Sequence, residues 1–336
     1  MSSRWTKKFQ YGIEATRGTL VSATRIWTGE AFQMASDTRL QRVESDAFGA
    51  RAASRRVAVQ QFEFGGTLVN SHGIFQQLPF LFNCGIKGGV TGGEVTPSQG
   101  DYLWTFNPSF TAANSPNAFT GEFSFDDQEW ESGYCMFKEY RISGEISQGP
   151  DPSPVKIEAD FFGRKKAKST FTAGQSLHTP TGMNAKLARL YSDSSWAGVG
   201  GTEVAAQLRA FALTLVTGVR PNHTGGADDT FTHHSEGIIG WNFGFTLESG
   251  ATAQSFYDAH RAGSTLFLRF DIAGPQIGSG TNHRFRFDMS GIPEEVNPDG
   301  EDDAGLNLSS FTVSDLYDGT GAKHMALAVT TNVNAV

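Results

Sequence analysis

Apolar and polar residues alternate along much of this chain. Gln61-Phe62-Glu63-Phe64, Glu122-Phe123-Ser124-Phe125 and Arg284-Phe285-Arg286-Phe287 each place a ring at every second position. A period of two sends the rings to one face of a pleated strand and the polar groups to the other. Strands of that kind build antiparallel sheets with one wet face, not a sheet buried on both sides. The pattern predicts strands over 58–69, 102–109, 117–126, 133–147 and 154–164. A second set follows over 207–217, 238–248, 265–273, 282–291 and 305–317, with a last strand over 325–333. Two segments read as helical. One is Ser71 to Cys84, kinked or short because of Pro79, and the other is Thr252 to Ala262; Gly85 and Gly263 end them.

The two sets echo each other. Phe62-Glu63-Phe64-Gly65-Gly66-Thr67-Leu68 is matched by Trp241-Asn242-Phe243-Gly244-Phe245-Thr246-Leu247, and each strand runs into its helix. A further echo pairs Ile157 to Gly163 with Thr312 to Gly319. Duplicated strand-rich units are commonly used for stacking or ring-building. The resulting division is an N-terminal arm and polar loop over 1–57, a first β domain over 58–170 and a linker over 171–206. A second β domain over 207–320 and a C-terminal strand over 321–336 complete it. Within the linker, Met183 to Tyr191 reads as a short helical patch.

Composition sharpens this picture only in places. A length of 336 residues holds one large core or two ordinary ones, and the echo favours two. Net charge is −8, so no general attraction to phosphate backbones is expected. Cys84 and Cys135 have no metal-ligand spacing and read as reduced core thiols. No run of apolar residues is long enough for a membrane helix, and Met1 to Lys8 does not resemble a signal peptide. Synthesis in the cytoplasm is the expectation.

Three segments invite a chemical reading and decline it. His223, Asp228, Asp229, His233 and His234 could ligate a cation, but adjacent histidines on an extended segment face opposite ways, and Gly225-Gly226 loosens the loop. Asn297 to Asp303 is acidic without the ligand spacing of a calcium loop, and reads as a turn. The glycines from Gly85 to Gly93 follow a helix where a phosphate loop follows a strand, and lack its Gly-Lys-Ser/Thr ending. No nucleophile elbow or Ser-His-Asp order is found, so no catalytic, metal or cofactor site is expected. Exposed strand edges in so strand-rich a chain do call for cover by partners.

The run Tyr11-Gly12-Ile13-Glu14-Ala15-Thr16-Arg17-Gly18-Thr19-Leu20-Val21-Ser22-Ala23-Thr24 resembles the opening of tail tube (major tail) proteins of long-tailed, non-contractile bacteriophages. Leu213 to Val216, Gly244 to Leu247 with its helix, and Phe311 to Asp318 are similar to the second half of such proteins. The resemblance implies a fold of two tandem tail-tube-like β-sandwich or barrel units, each with one flanking helix, closing into an oligomeric β-barrel tube. It also implies a structural virion protein whose stacked rings conduct DNA during ejection, with no enzyme activity. Partners implied are further copies of the chain and the tape measure, tail terminator and distal tail proteins. Two units per chain suggest a trimer with pseudo-sixfold rings, the alternative being a hexamer. Under this reading Glu63, Glu122, Asp126, Asp271 and Asp288 are candidate lumen-facing acids, while Arg42, Arg51, Arg55 and Arg56 are candidate contacts between rings. The competing class is a carbohydrate-binding or adhesin-like β-sandwich, which the scattering of Trp5, Trp27, Trp104, Trp130, Trp196 and Trp241 disfavours.

Overall fold

The computed structural model describes residues 8–29, 31–34, 38–43, 56–62, 64–125, 128–204, 207–225, 230–298, 302–303 and 305–336. In chain order, β1 (Phe9–Ile13), β2 (Arg25–Ile26), β3 (Ala31–Met34), β4 (Thr38–Val43), β5 (Arg56–Phe62) and β6 (Phe64–Asn70) lead into α1 (Leu78–Asn83). The first half continues with β7 (Gly93–Glu94), β8 (Tyr102–Phe106), β9 (Phe119–Phe125), β10 (Gln128–Glu145), β11 (Lys156–Gly163) and β12 (Ala167–Lys168). The second opens with β13 (Ala188–Asp193), β14 (Leu208–Val216), β15 (Val219–Asn222), β16 (His233–Glu236), β17 (Gly240–Glu248) and α2 (Ala251–Ala262). It closes with β18 (Leu266–Gln276), β19 (Asn282–Asn297), β20 (Asp302–Asp303), β21 (Leu306–Asp315) and β22 (Met325–Thr331). The chain is mostly β, with about half its residues in strands.

One layer runs β3–β6–β11–β10–β14–β17–β21–β19, antiparallel at every step. β10 and β19, at 18 and 16 residues, are long enough to leave this layer and enter a second. There, the start of β10 pairs with β9, which carries β1, and the start of β19 pairs with β18, which carries β13. β22 lies along β19 as well and carries β8. Bulges accompany the crossing, with register shifts between Ser132 and Cys135, Phe137 and Glu139, and Pro293 and Glu295. An extra residue bends a strand and re-aims its side chains, which is how one strand serves two layers. No route through the ladders of the described residues returns to its starting strand, so the sheet stays open.

Aromatic rings fill the space between the layers. Phe123 of β9 stacks on Phe64 of β6 at 4.5 Å, and Phe270 of β18 lies 4.5 Å from Phe211 of β14. One buried cluster runs through both halves, where the sequence favoured two cores. The β10–β14 ladder explains this: it sets Tyr140 against Leu215 and Ile142 against Leu213, leaving no seam between the halves. In α1 all six residues are buried, and Pro79 falls in the first turn, where no backbone donor is missed. A 3₁₀ turn over Phe75–Gln77 supplies the start that the sequence assigned to the helix. α2 is amphipathic instead, burying Ala253 and Phe256 and ending on Gly263 in the left-handed region at φ 61.

The halves list their strands in the same order, β1–β9–β10–β11–β6–β3 and β13–β18–β19–β21–β17–β14. Their registers match too. Before its bulge β10 pairs Phe137 with Phe161, which faces Gly66; before its own, β19 pairs Pro293 with Val313, which faces Phe243. Gly66 therefore corresponds to Phe243, and Phe64, not Phe62, to Trp241. Arg164 N reaches Gly133 O at 3.0 Å just as Leu316 N reaches Ser290 O at 3.0 Å. Several segments depart from expectation. Residues 9–13, expected as arm, form β1; 188–193, within the expected linker, form β13; and residues 38–43 and 56–62 pair as a ribbon, where a loop was expected over 41–57 and a strand from 58.

Glu14, in the run that opens the chain, locks the first bulge. Its carboxylate accepts from Gly18 N at 2.6 Å, Tyr134 N at 2.7 Å and Thr120 Oγ1 at 3.0 Å. Tyr134, at φ 54, has no counterpart in the second half. Burial pushes the Glu14 carboxyl above the usual carboxylate value despite these donors. The folded pKa exceeds the unfolded one, so this group's contribution falls as pH rises between the two. Glu14→Ala strands three donors and is expected to cost about 2–4 kcal/mol, read as a lower urea midpoint with unchanged slope.

Candidate functional site

The long layer has a dry face and a wet one. Alternate residues Phe211, Leu213 and Leu215 of β14 and Trp241, Phe243, Phe245 and Leu247 of β17 are buried, so the residues between them point away from the core. Across the first half that second face carries Glu139, Arg141 and Glu145 of β10 with Lys156, Glu158 and Asp160 of β11. Arg141 bridges Glu139 at 2.6 Å and Asp160 at 3.7 Å, and Lys156 holds Glu158 at 2.8 Å. Across the second half the same face carries Thr214, Asn242, Thr246, Ser310, Thr312 and Ser314, with Glu294 accepting from Ser314 and Glu248 paired to Arg209. Asn242 Nδ2 donates to Ser314 Oγ at 3.3 Å, and Thr246 and Ser310 share a hydrogen bond of 3.2 Å. The result is a continuous surface of acids, paired cations and hydroxyls.

Both ends of the layer are bare among the described residues. β3 pairs with β6 along one side, and no ladder among the described residues occupies its other side. Past the bulge, residues 295–297 of β19 pair with β21 and nothing else described. These edges are the counterparts of β14 and of the end of β10, which pair with each other between the halves. The chain thus contains, once, a joint between the counterparts of its two end strands. Proline guards the bare β19 edge at Pro293, whose carbonyl accepts from His260 Nδ1 at 2.7 Å, and again at Pro298.

A ribbon leaves each half at the same place. β15–β16 joins β14 to β17 as β4–β5 joins β3 to β6. The second-half ribbon is docked: Val219 and Phe231 close a small cluster with Ala118, Tyr134, Met136 and Phe162 of the first half. Arg164 donates to Phe231 O at 3.1 Å and Thr232 O at 2.7 Å, and lies over the Tyr134 ring at 4.7 Å. Glu236 accepts from Asn114 N at 2.6 Å and Ser115 N at 3.0 Å, and Tyr134 Oη meets His234 Nδ1 at 3.1 Å.

The acids singled out in the sequence fall elsewhere. Glu122 is buried in the second layer, accepting from Gln10 Nε2, Ala23 N and the Thr172 backbone and hydroxyl. Asp271 is buried against Arg284 at 2.7 Å, and Asp288 holds Arg269 at 2.6 Å, both also in that layer. Alternation reports which face of a strand is wet but not which layer the strand joins, and none of the three lies on the long layer's open face. Arg42 lies in β4 and Arg56 in β5; Glu63, Asp126, Arg51 and Arg55 lie outside the described residues. Among the described residues no group of three His, Cys, Asp or Glu is placed to hold a metal ion, with Asp228 and Asp229 outside them. Gly85 proves to be a packing glycine, since a Cβ there would collide with the Tyr140 hydroxyl. No described helix is long and apolar enough to cross a membrane. Set beside known proteins, the chain matches no family model and no curated sequence.

Proposed function

We propose that this chain is a structural protein that assembles with copies of itself into rings stacked as a tube, the tail tube of a long-tailed bacteriophage. The observation that carries the reading is the pair of bare, complementary edges at the two ends of one layer. The chain's own β10–β14 ladder is a worked example of their pairing. An edge of unpaired backbone groups is costly to leave open beside so much apolar surface, and head-to-tail pairing of identical copies removes both edges of this layer once the ring closes. Two similar units per chain make three chains sufficient for a ring of six units, with a ring of six chains as the alternative closure.

Closure would curve the long layer into a barrel with its dry face outward against the second layer and its wet face around a lumen. Glu139, Glu145, Glu158, Asp160, Glu248 and Glu294 outnumber the cations Arg141, Lys156 and Arg209 there, each of which is paired to an acid, and hydroxyls and amides occupy much of the rest. A duplex passing such a wall finds few cations to exchange for its counterions, so it is not held. These residues replace Glu122, Asp271 and Asp288 in the lumen role. The chain acts in the virion, beside proteins that set tube length and close its ends, and without chemistry of its own. Negative-stain electron microscopy of the purified chain tests this: rings with a central hole and threefold or sixfold end-on views are expected. A protein that stays monomeric at high concentration, with both edges intact, overturns it.

A further inference from the structure

We infer that the ribbon β4–β5 is a clasp between neighbours of one ring, seated on the second half of the adjacent copy as β15–β16 is seated on the first half of its own chain. The inference rests on the ring reading, and it replaces the axial role that Arg42, Arg51, Arg55 and Arg56 suggested in the sequence.

The two ribbons are equivalent residue by residue. Met34 faces Gly66 and Leu213 faces Phe243, so Met34 corresponds to Leu213. Leu40 then stands as far beyond Met34 as Val219 does beyond Leu213, and it pairs with Val59 as Val219 pairs with Glu236. Both ribbons also shift register by one residue at their root: Arg39 pairs with Gln61 and Leu40 with Val59, as Val216 pairs with Gly240 and Val219 with Glu236. A ribbon that keeps a partner's register and bulge is built for the same seat.

That seat exists a second time. Val219 rests on Met136 and Phe162, a ladder pair just before the bulge of β10. The corresponding pair on β19 and β21 is Ile292 and Ser314, and the counterpart of Arg164 is Leu316. Ile292 and Leu316 are only half-buried, and Tyr317 beside them is 49% exposed, whereas Val219 and Phe231 leave the first-half seat closed. β4 and β5 pair with each other and with no other strand among the described residues.

Charge favours the same match. The ribbon strands β4 and β5 carry Arg39, Arg42 and Arg56 and no acid. Beside the empty seat, β19 carries Glu294 and Glu295, and β20 carries Asp302 and Asp303. Opposite charge on the two surfaces speeds encounter and fixes register. It also makes docking sensitive to salt.

The test is an engineered disulfide. Leu40→Cys with Ile292→Cys in one chain, assembled and then oxidised, is expected to give a series of covalent bands in denaturing gels. The series should stop at the number of chains counted in end-on views, because a lateral bond closes on itself within a ring. A ladder continuing past that number means the ribbon reaches the next ring and overturns the clasp. Intact rings with no cross-link overturn it as well, leaving the ring reading standing. Failure of the unmodified chain to form rings removes both. Native Cys84 and Cys135 are buried and supply little background.

Discussion

Val296→Pro is expected to abolish rings and tubes while leaving a folded, soluble chain. Beyond the bulge at Phe137, alternate residues of β10 turn their backbone towards β14, down to Ile146, whose N–H reaches Arg209 O at 2.8 Å. Tyr140 belongs to that series, and Val296 is its counterpart: Tyr140 pairs with Ala159 as Val296 pairs with Phe311. Pro293 and Pro298 already lack an N–H, so Val296 is left as the donor in this stretch that a neighbour's β3 can use. Proline there removes that donor and places its ring against the incoming strand, yet breaks no ladder bond to β21, which lies on the other side. Val296 is only partly buried, so the fold loses little packing. Size-exclusion chromatography should show a monomer with a nearly unchanged circular dichroism spectrum and melting temperature. Tubes of normal appearance from this variant would sink the edge-pairing account.

The contrast between what alternation revealed and what it hid follows from its period. Strands with three alternating rings, such as β17 and the start of β19, could be placed to within a few residues. The internal echo was found on the right strands, but Phe62 was set against Trp241 where the ladders give Phe64. A slip of two residues keeps every side chain on its own face and is therefore silent in the pattern. Ile157 to Gly163 was likewise matched to the right strand in a register that the ladders do not keep, since Asp160 corresponds to Thr312. β1 is short, and its place depends on Phe123, far away along the chain, which no local pattern reports. The layer exchange was the costliest omission, because Glu122, Asp271 and Asp288 belong to the second layer and not to the long one. A signal for it does exist: Tyr134-Cys135-Met136-Phe137 are all buried in succession, and such a run inside an alternating strand marks the bulge where it passes between layers.

The two halves share an architecture but not a strength, and a matched pair of truncations should expose this. Cys135 pairs with Phe119, and its counterpart Gly291 pairs with Leu266. Phe119 is fully buried, with Phe80 and Phe137 each at 5.1 Å and Phe161 at 5.7 Å. Leu266 is only partly buried at the margin of the same cluster. Phe119→Ala leaves a cavity that rigid neighbouring rings cannot close, and should cost about 3–5 kcal/mol. Leu266→Ala gives up less apolar area beside solvent and should cost roughly 1–2 kcal/mol. Against a total stability of about 5–15 kcal/mol, the first loss threatens the whole molecule and the second does not. Because one cluster runs through both halves, the larger loss should lower a single cooperative urea transition followed by tryptophan fluorescence, not split it. Two separated transitions in Phe119→Ala, or equal losses in the two variants, would mean that the halves are independent cores merely joined by a ladder.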